Sequence, residues 1–197
     1  MIKAVVFDFN GVFARPIELE VVSRICDTKG VDKWIALSNY FLNIARFELG
    51  YLPPAEFWKK VFVDLTHEEY LAYVEAEYGK RLPRNEGLYS LCDRLSKKYA
   101  LYCISNSNFL QGKAYRKQKL YSPFNELFLS HETGKLKPLL GAYTNFLEKT
   151  GFVARECVYI DDSFRNIIPA LALGFHGIKY ENNEGLESRL RGLGVRA

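Results

Sequence analysis

A chain of 197 residues, 48% hydrophobic and 25% charged, has the length and composition of one well-filled globular domain with a small insertion. No apolar run is long enough to cross a bilayer, and the N-terminus lacks the basic leader and hydrophobic segment of a signal peptide, so a cytoplasmic protein without a membrane partner is expected. A net charge of +4 is too small to argue for nucleic acid and suits an anionic small molecule.

Ala4 to Phe7 form a short apolar run that reads as a strand buried on both faces of a parallel sheet, with Asp8 at its carboxyl end. Asn10-Gly11 then supplies the freedom for a sharp turn. Taken alone, such an Asp equally reads as a cap for the next element. From Pro16 to about Lys80 the pattern becomes helical, with apolar residues at helical spacing over Ile17–Ile25 and Trp34–Phe47. Two further helices are expected, one over Ala55–Asp64 behind Pro54 and one from a Thr66/Glu69 capping pair to Tyr78.

From Leu88 onward strands and helices alternate. The expected order is helix Gly87–Lys98, strand Ala100–Ile104, helix Gly112–Lys119 and strand Leu127–Ser130. A loop over His131–Pro138 follows, then helix Leu140–Lys149, strand Cys157–Ile160, helix Asn166–Leu173 and strand His176–Lys179. Such alternation predicts an α/β fold, a doubly wound parallel sheet with right-handed crossovers. The domains are then 1–14 with 84–197 for a Rossmann-like core, and 15–83 for a helical cap inserted after the first strand. The four cysteines, Cys26, Cys92, Cys103 and Cys157, are scattered without Cys-x-x-Cys spacing and read as buried, reduced thiols.

Asp8, Ser105, Lys137 and the pair Asp161/Asp162 all fall at or just beyond strand carboxyl ends, the edge where open α/β sheets bind ligands. Three carboxylates converging there repel one another unless a cation neutralises them, and a hard ion with oxygen ligands is most naturally Mg²⁺. Lys137 balances Asp8 and can hold an anion, while Ser105 and the backbone after it offer donors to phosphate oxygens. Such a set suits in-line attack on phosphorus with Asp8 as nucleophile.

These residues resemble the four motifs of the haloacid dehalogenase (HAD) superfamily. Asp8-Phe-Asn-Gly-Val12 is similar to its first motif, Ser105 to the second, Lys137-Pro138 with Tyr143 to the third, and Asp161-Asp162-Ser163 to the fourth. Leu101-Tyr-Cys-Ile-Ser-Asn-Ser-Asn108 and Phe47-Glu-Leu-Gly-Tyr-Leu-Pro-Pro-Ala-Glu-Phe-Trp58 resemble the branch of glucose-1-phosphatases and epoxide-hydrolase N-terminal domains. The resemblance implies that Asp8 accepts a phosphoryl group. It further implies that Asp8, Asp162 and the Asn10 carbonyl bind Mg²⁺, with Asp161 a direct or water-mediated ligand. Ser105 and Lys137 would hold the phosphoryl group, supported by Asn106 and Gly11.

One position departs from the superfamily pattern. The residue two after the nucleophile, an Asp in most of its phosphatases, is Asn10. An amide donates a hydrogen bond but shuttles no proton, and general acid–base help is worth about 10²–10⁴-fold. The leading expectation is a phosphohydrolase acting on a small phosphorylated metabolite, a sugar phosphate by branch analogy, as a monomer or homodimer. The alternatives are an impaired protein that binds a phosphorylated ligand or partner, and a dehalogenase-type hydrolase, against which the metal-type pair Asp161/Asp162 argues. Arg15 is the candidate for a further substrate-facing charge. His67, His131 and His176 have no ligand spacing and read as surface or structural groups.

Overall fold

The computed structural model describes all 197 residues. Strand β1 (Ala4–Phe7) is buried at every position. It leads into a helical unit of α1 (Glu18–Lys29), α2 (Lys33–Glu48) and α3 (Pro54–Val61), completed by α4 (His67–Glu69), a π-helical stretch (Tyr70–Glu75) and α5 (Ala76–Gly79). The core resumes with α6 (Glu86–Leu95), β2 (Ala100–Ser105), α7 (Phe109–Lys117), β3 (Glu126–Leu129), α8 (Ser130–Thr133) and α9 (Leu140–Thr150). After one 3₁₀ turn (Ala154–Glu156), β4 (Cys157–Asp161), α10 (Phe164–Ala172), β5 (His176–Lys179) and α11 (Asn183–Gly192) end the chain.

All five strands are parallel in the order β3-β2-β1-β4-β5. The strand alternation feeds two apolar layers. Val5 and Phe7 pack with Leu88, Leu91 and Leu95 of α6 on one face, and Ala4 and Val6 pack with Tyr143 and Phe146 of α9 and Ile167 of α10 on the other. Helices therefore cover both faces, as a sheet buried on two sides requires. β1 lies in the middle, so its carboxyl end sits at the centre of the edge where β2 and β4 also end.

The helical unit has an apolar cluster of its own, in which Phe47 stacks on Phe57 with ring centroids 4.0 Å apart and Trp58 packs edge-on. Leu110 of α7 joins this cluster and ties it to the core. The last helical run is not the uninterrupted α-helix that the Thr66 cap suggests, although the Thr66/Glu69 capping box is present. Its buried residues Tyr70, Val74 and Tyr78 recur every fourth position. That spacing drifts around an α-helix, and the wider π turn offsets the drift so that all three face the cluster.

Two further elements differ from the sequence reading. Helix α7 begins at Phe109 rather than Gly112, because Asn108 and Gln111 form a reciprocal capping box. The segment read as a loop after β3 opens with the single helical turn α8, closed by Gly134 at φ 65°. Helix α11 is capped by the Asn182 side chain and buries Leu186 and Leu190 against the core.

Phe57→Ala removes a fully buried ring from the helical unit, and denaturant unfolding should show a loss of roughly 3–5 kcal/mol.

Candidate active site

The edge formed by the carboxyl ends of β1 and β4 holds a buried chain of charges. Lys137 Nζ lies 2.8 Å from Asp8 Oδ1 and 2.8 Å from Asp161 Oδ2, and its side chain is 2% exposed. Asp161 sits on β4 beside the end of β1, in register with Lys179 of β5. Lys137 enters from the segment between α8 and α9, where its backbone is clamped to the loop after β2. Its N–H donates to Asn106 Oδ1 at 2.8 Å and its carbonyl accepts from Asn106 Nδ2 at 3.0 Å.

Asp161 is saturated by donors. Besides Lys137, its oxygens accept from the Tyr159 hydroxyl at 2.6 Å, the Ser163 N–H at 2.9 Å and Asn166 Nδ2 at 3.0 Å. Those bonds fill the lone pairs of a carboxylate. Asp161 thus anchors Lys137. Asp8 Oδ1 accepts from Lys137 and from the Phe9 N–H, which leaves Oδ2 as the oxygen without a donor.

The electrostatics follow from this arrangement. Burial pushes the Asp8 carboxyl above its usual range, with Lys137 opposing and Asp161 adding to the shift. For Asp161 the effect of burial is outweighed by Lys137, Tyr159 and the Ser163 N–H, which hold it below the usual carboxylate range. Burial alone would lower Lys137, but the two aspartates overcome it and raise the ammonium above its ordinary value. Asp162 is raised by burial and by the charge of Asp161. When ionised, three carboxylates face one ammonium, which favours a further cation.

The donor set fits a hard divalent cation. One ligand oxygen from each of Asp8, Asp161 and Asp162 lies within 4.8 Å of the others. Gly11, at φ 84°, makes room for Asp162, since a Cβ there would fall 2.2 Å from its Oδ2. The Asn10 carbonyl accepts no backbone hydrogen bond. Asp8, Asp162 and that carbonyl are therefore the groups able to hold Mg²⁺ directly.

Beside this cluster lies a cavity of about 180 Å³, lined by ten residues of which one is apolar. Its floor is Asp8, Asn10, Asn106, Lys137 and Asn166, and Gln111 of α7 adds a wall. The helical unit closes it with Glu18, Tyr40 and Glu48, and Pro16 lies between.

The structure brings Asp8, Asn10, Gly11, Lys137, Asn106, Asp161 and Asp162 to one edge. Ser105 does not face this cavity: it is buried, with its hydroxyl on the Asn106 carbonyl at 3.3 Å, and Asn106 lines the space instead. Arg15 is a correction, because its exposed side chain pairs with Glu20 at 2.7 Å and lies outside the cavity. His131 is structural, its buried ring bonded to the Ser107 carbonyl at 3.1 Å. Tyr159, Glu18, Tyr40 and Glu48 were not legible as site residues. Tyr159 alone had a local signal, lying two residues before Asp161 on the same strand face.

No family model matches the chain, and no curated protein matches it in sequence. Solved structures do match in fold. A HAD family enzyme of Bacteroides thetaiotaomicron, in complex with magnesium and inorganic phosphate, is 24% identical over 92% of this chain and 95% of its own, with a TM-score of 0.74. A predicted HAD-like family hydrolase of Porphyromonas gingivalis aligns over 100% of both chains at 21% identity and a TM-score of 0.75. The L-2-haloacid dehalogenase of Xanthobacter autotrophicus, with chloropropionic acid covalently bound, is 17% identical over 100% of this chain and 85% of its own, with a TM-score of 0.66. The chain therefore has the fold of the HAD-like hydrolases. That fold carries more than one chemistry, so the site has to decide between them.

Lys137→Met strands two buried carboxyls without their ammonium and should cost roughly 3–5 kcal/mol at about pH 8. Without Lys137 both carboxyls hold their protons more tightly folded than unfolded, so this cost shrinks as pH falls toward about 5. Denaturant unfolding of both proteins at the two pH values, in chelator, checks the size and the sign.

Proposed function

We propose that the chain is a magnesium-dependent phosphohydrolase acting on a small phosphomonoester through a phosphoryl-aspartate at Asp8. The observation that carries this reading is the buried Asp8–Lys137–Asp161 chain with Asp162 beside it, a nucleophile flanked by fixed positive charge and a place for a cation. Phosphoryl transfer asks mainly for positioning and for charge neutralisation, and these residues provide both. The bacterial relative held with magnesium and inorganic phosphate supports the same reading.

Asp8 Oδ2, free of donors, is the attacking oxygen, while Lys137 and the Phe9 N–H hold Oδ1 and fix the carboxylate plane. Lys137 neutralises the non-bridging oxygens on one side. Asp8, Asp162 and the Asn10 carbonyl would hold Mg²⁺, whose charge offsets that of the phosphoryl group. Asp161 and Tyr159 touch no substrate atom in this scheme and, together with Asn166, keep Lys137 in line. The polar lining and modest volume suit a compact hydrophilic alcohol such as a sugar. The helical unit acts as the cap that encloses it. Dehalogenation has no use for the extra carboxylate of Asp162.

Asn10 favours a second reading, a protein that holds a phosphorylated ligand without efficient turnover, because its amide cannot carry the proton of the leaving alcohol.

Phosphate release from aryl and sugar phosphates should require Mg²⁺, stop on chelation and disappear in Asp8→Asn. Release that survives Asp8→Asn contradicts the reading. Phosphate and Mg²⁺ bound by calorimetry without turnover would select the binding reading instead.

A further inference from the structure

The proposed chemistry leaves one proton without a carrier. An alkoxide leaving phosphorus has to be protonated, and the water that attacks the phosphoryl-aspartate has to lose a proton. Asn10 cannot do this, and its amide is occupied: Nδ2 donates to the Asn106 carbonyl at 3.2 Å and Oδ1 accepts from the Tyr115 hydroxyl at 3.3 Å.

The helical unit brings three polar side chains to the same cavity, and two are unsuited to the task. Glu18 serves as a tie, accepting from the Tyr78 hydroxyl at 3.0 Å and from Asn108 Nδ2 at 3.1 Å. Tyr40 keeps its proton, since burial and the nearby Glu18 and Glu48 raise its hydroxyl well above the ordinary value. Glu48 differs from both. Its carboxyl has no hydrogen-bond or ion-pair partner within the chain, although it lines the cavity that holds Asp8 and Lys137.

The core itself fixes the backbone of Glu48 in place. Ser130 Oγ donates to the Glu48 carbonyl at 2.6 Å, and Ser130 is held in turn by the Ser107 N–H at 2.9 Å. Two residues on, Gly50 at φ 75° packs so tightly that a Cβ would fall 2.6 Å from the His131 carbonyl oxygen. The end of α2 is thereby pinned to the turn after β3, which fixes the backbone from which the Glu48 side chain reaches the cavity. Burial pushes the Glu48 carboxyl up to about 7, with Glu18 and Asp8 adding to the shift and Lys137 opposing it. At neutral pH it can both give and take a proton.

We infer that Glu48 is the catalytic acid and base of this site, doing from the helical unit the work that Asn10 cannot do from the first loop. The inference rests on the phosphohydrolase reading. In the first step the Glu48 carboxylic acid protonates the leaving oxygen as the bond from phosphorus to that oxygen breaks and the bond from Asp8 Oδ2 to phosphorus forms. In the second step water adds to phosphorus, Glu48 carboxylate takes the water proton, and the Asp8–phosphorus bond breaks. Alcohol and inorganic phosphate leave, with Asp8 ionised and Glu48 protonated as at the start.

The test compares wild type, E48Q, N10D and the E48Q/N10D double variant in single turnover with 4-nitrophenyl, phenyl and benzyl phosphate. These probes have similar shapes and increasingly basic leaving groups. Loss of a general acid should leave alcohol release from 4-nitrophenyl phosphate within a few-fold of wild type. It should slow release from benzyl phosphate by about 10²–10⁴-fold, and N10D should restore that rate in the E48Q background. Equal loss on all three probes, or no loss on benzyl phosphate, overturns the inference. Asp8→Asn on 4-nitrophenyl phosphate tests the phosphohydrolase reading separately, because that probe needs no acid.

Discussion

The site depends on one ammonium shared between two buried carboxylates. Lys137 reaches Asp8 and Asp161 at the same 2.8 Å, and all three side chains lie almost wholly out of water. A buried charge is tolerated only when paired and hydrogen-bonded, and here each partner meets that condition through a different element. Asp8 directly follows β1, β4 supplies Asp161, and the Asn106 side chain clamps the Lys137 backbone from the loop after β2. Three strand ends and one connecting segment are locked to each other by the same charge.

The two carboxylates are made unequal by their surroundings. Asp161 receives four donors and is held as a stable anion, whereas Asp8 keeps one oxygen free and is pushed up by burial. One sheet edge therefore presents two unequal carboxylates built from the same residue type, Asp161 as the anchor and Asp8 as the nucleophile of the proposed chemistry. Asp162, kept in place by the missing side chain of Gly11, adds the charge that invites a cation.

The parts legible in the sequence are those carried by strand ends. Asp8 and Asp161/Asp162 could be placed because each closes or follows a buried apolar strand, whose periodicity locates such positions closely, and Lys137 by the resemblance of Lys137-Pro138 to the third motif. The sheet itself followed from strict alternation of strands and helices. What stayed hidden depends on long-range packing. The π-helical stretch reflects how Tyr70, Val74 and Tyr78 meet a cluster built from α1 to α3. Glu18 and Glu48 look like ordinary acids on amphipathic helices, and only the docking of the helical unit turns them toward the cavity. Ser105 lies at the end of β2 as expected, with its hydroxyl on the Asn106 carbonyl.

The most direct test of the account is acid quench during turnover of an aryl phosphate, followed by peptide mapping by mass spectrometry. The account predicts a phosphoryl group on the peptide that carries Asp8, formed in the presence of Mg²⁺ and absent when the metal is chelated. Phosphate released while that peptide stays unmodified at every time point would contradict it.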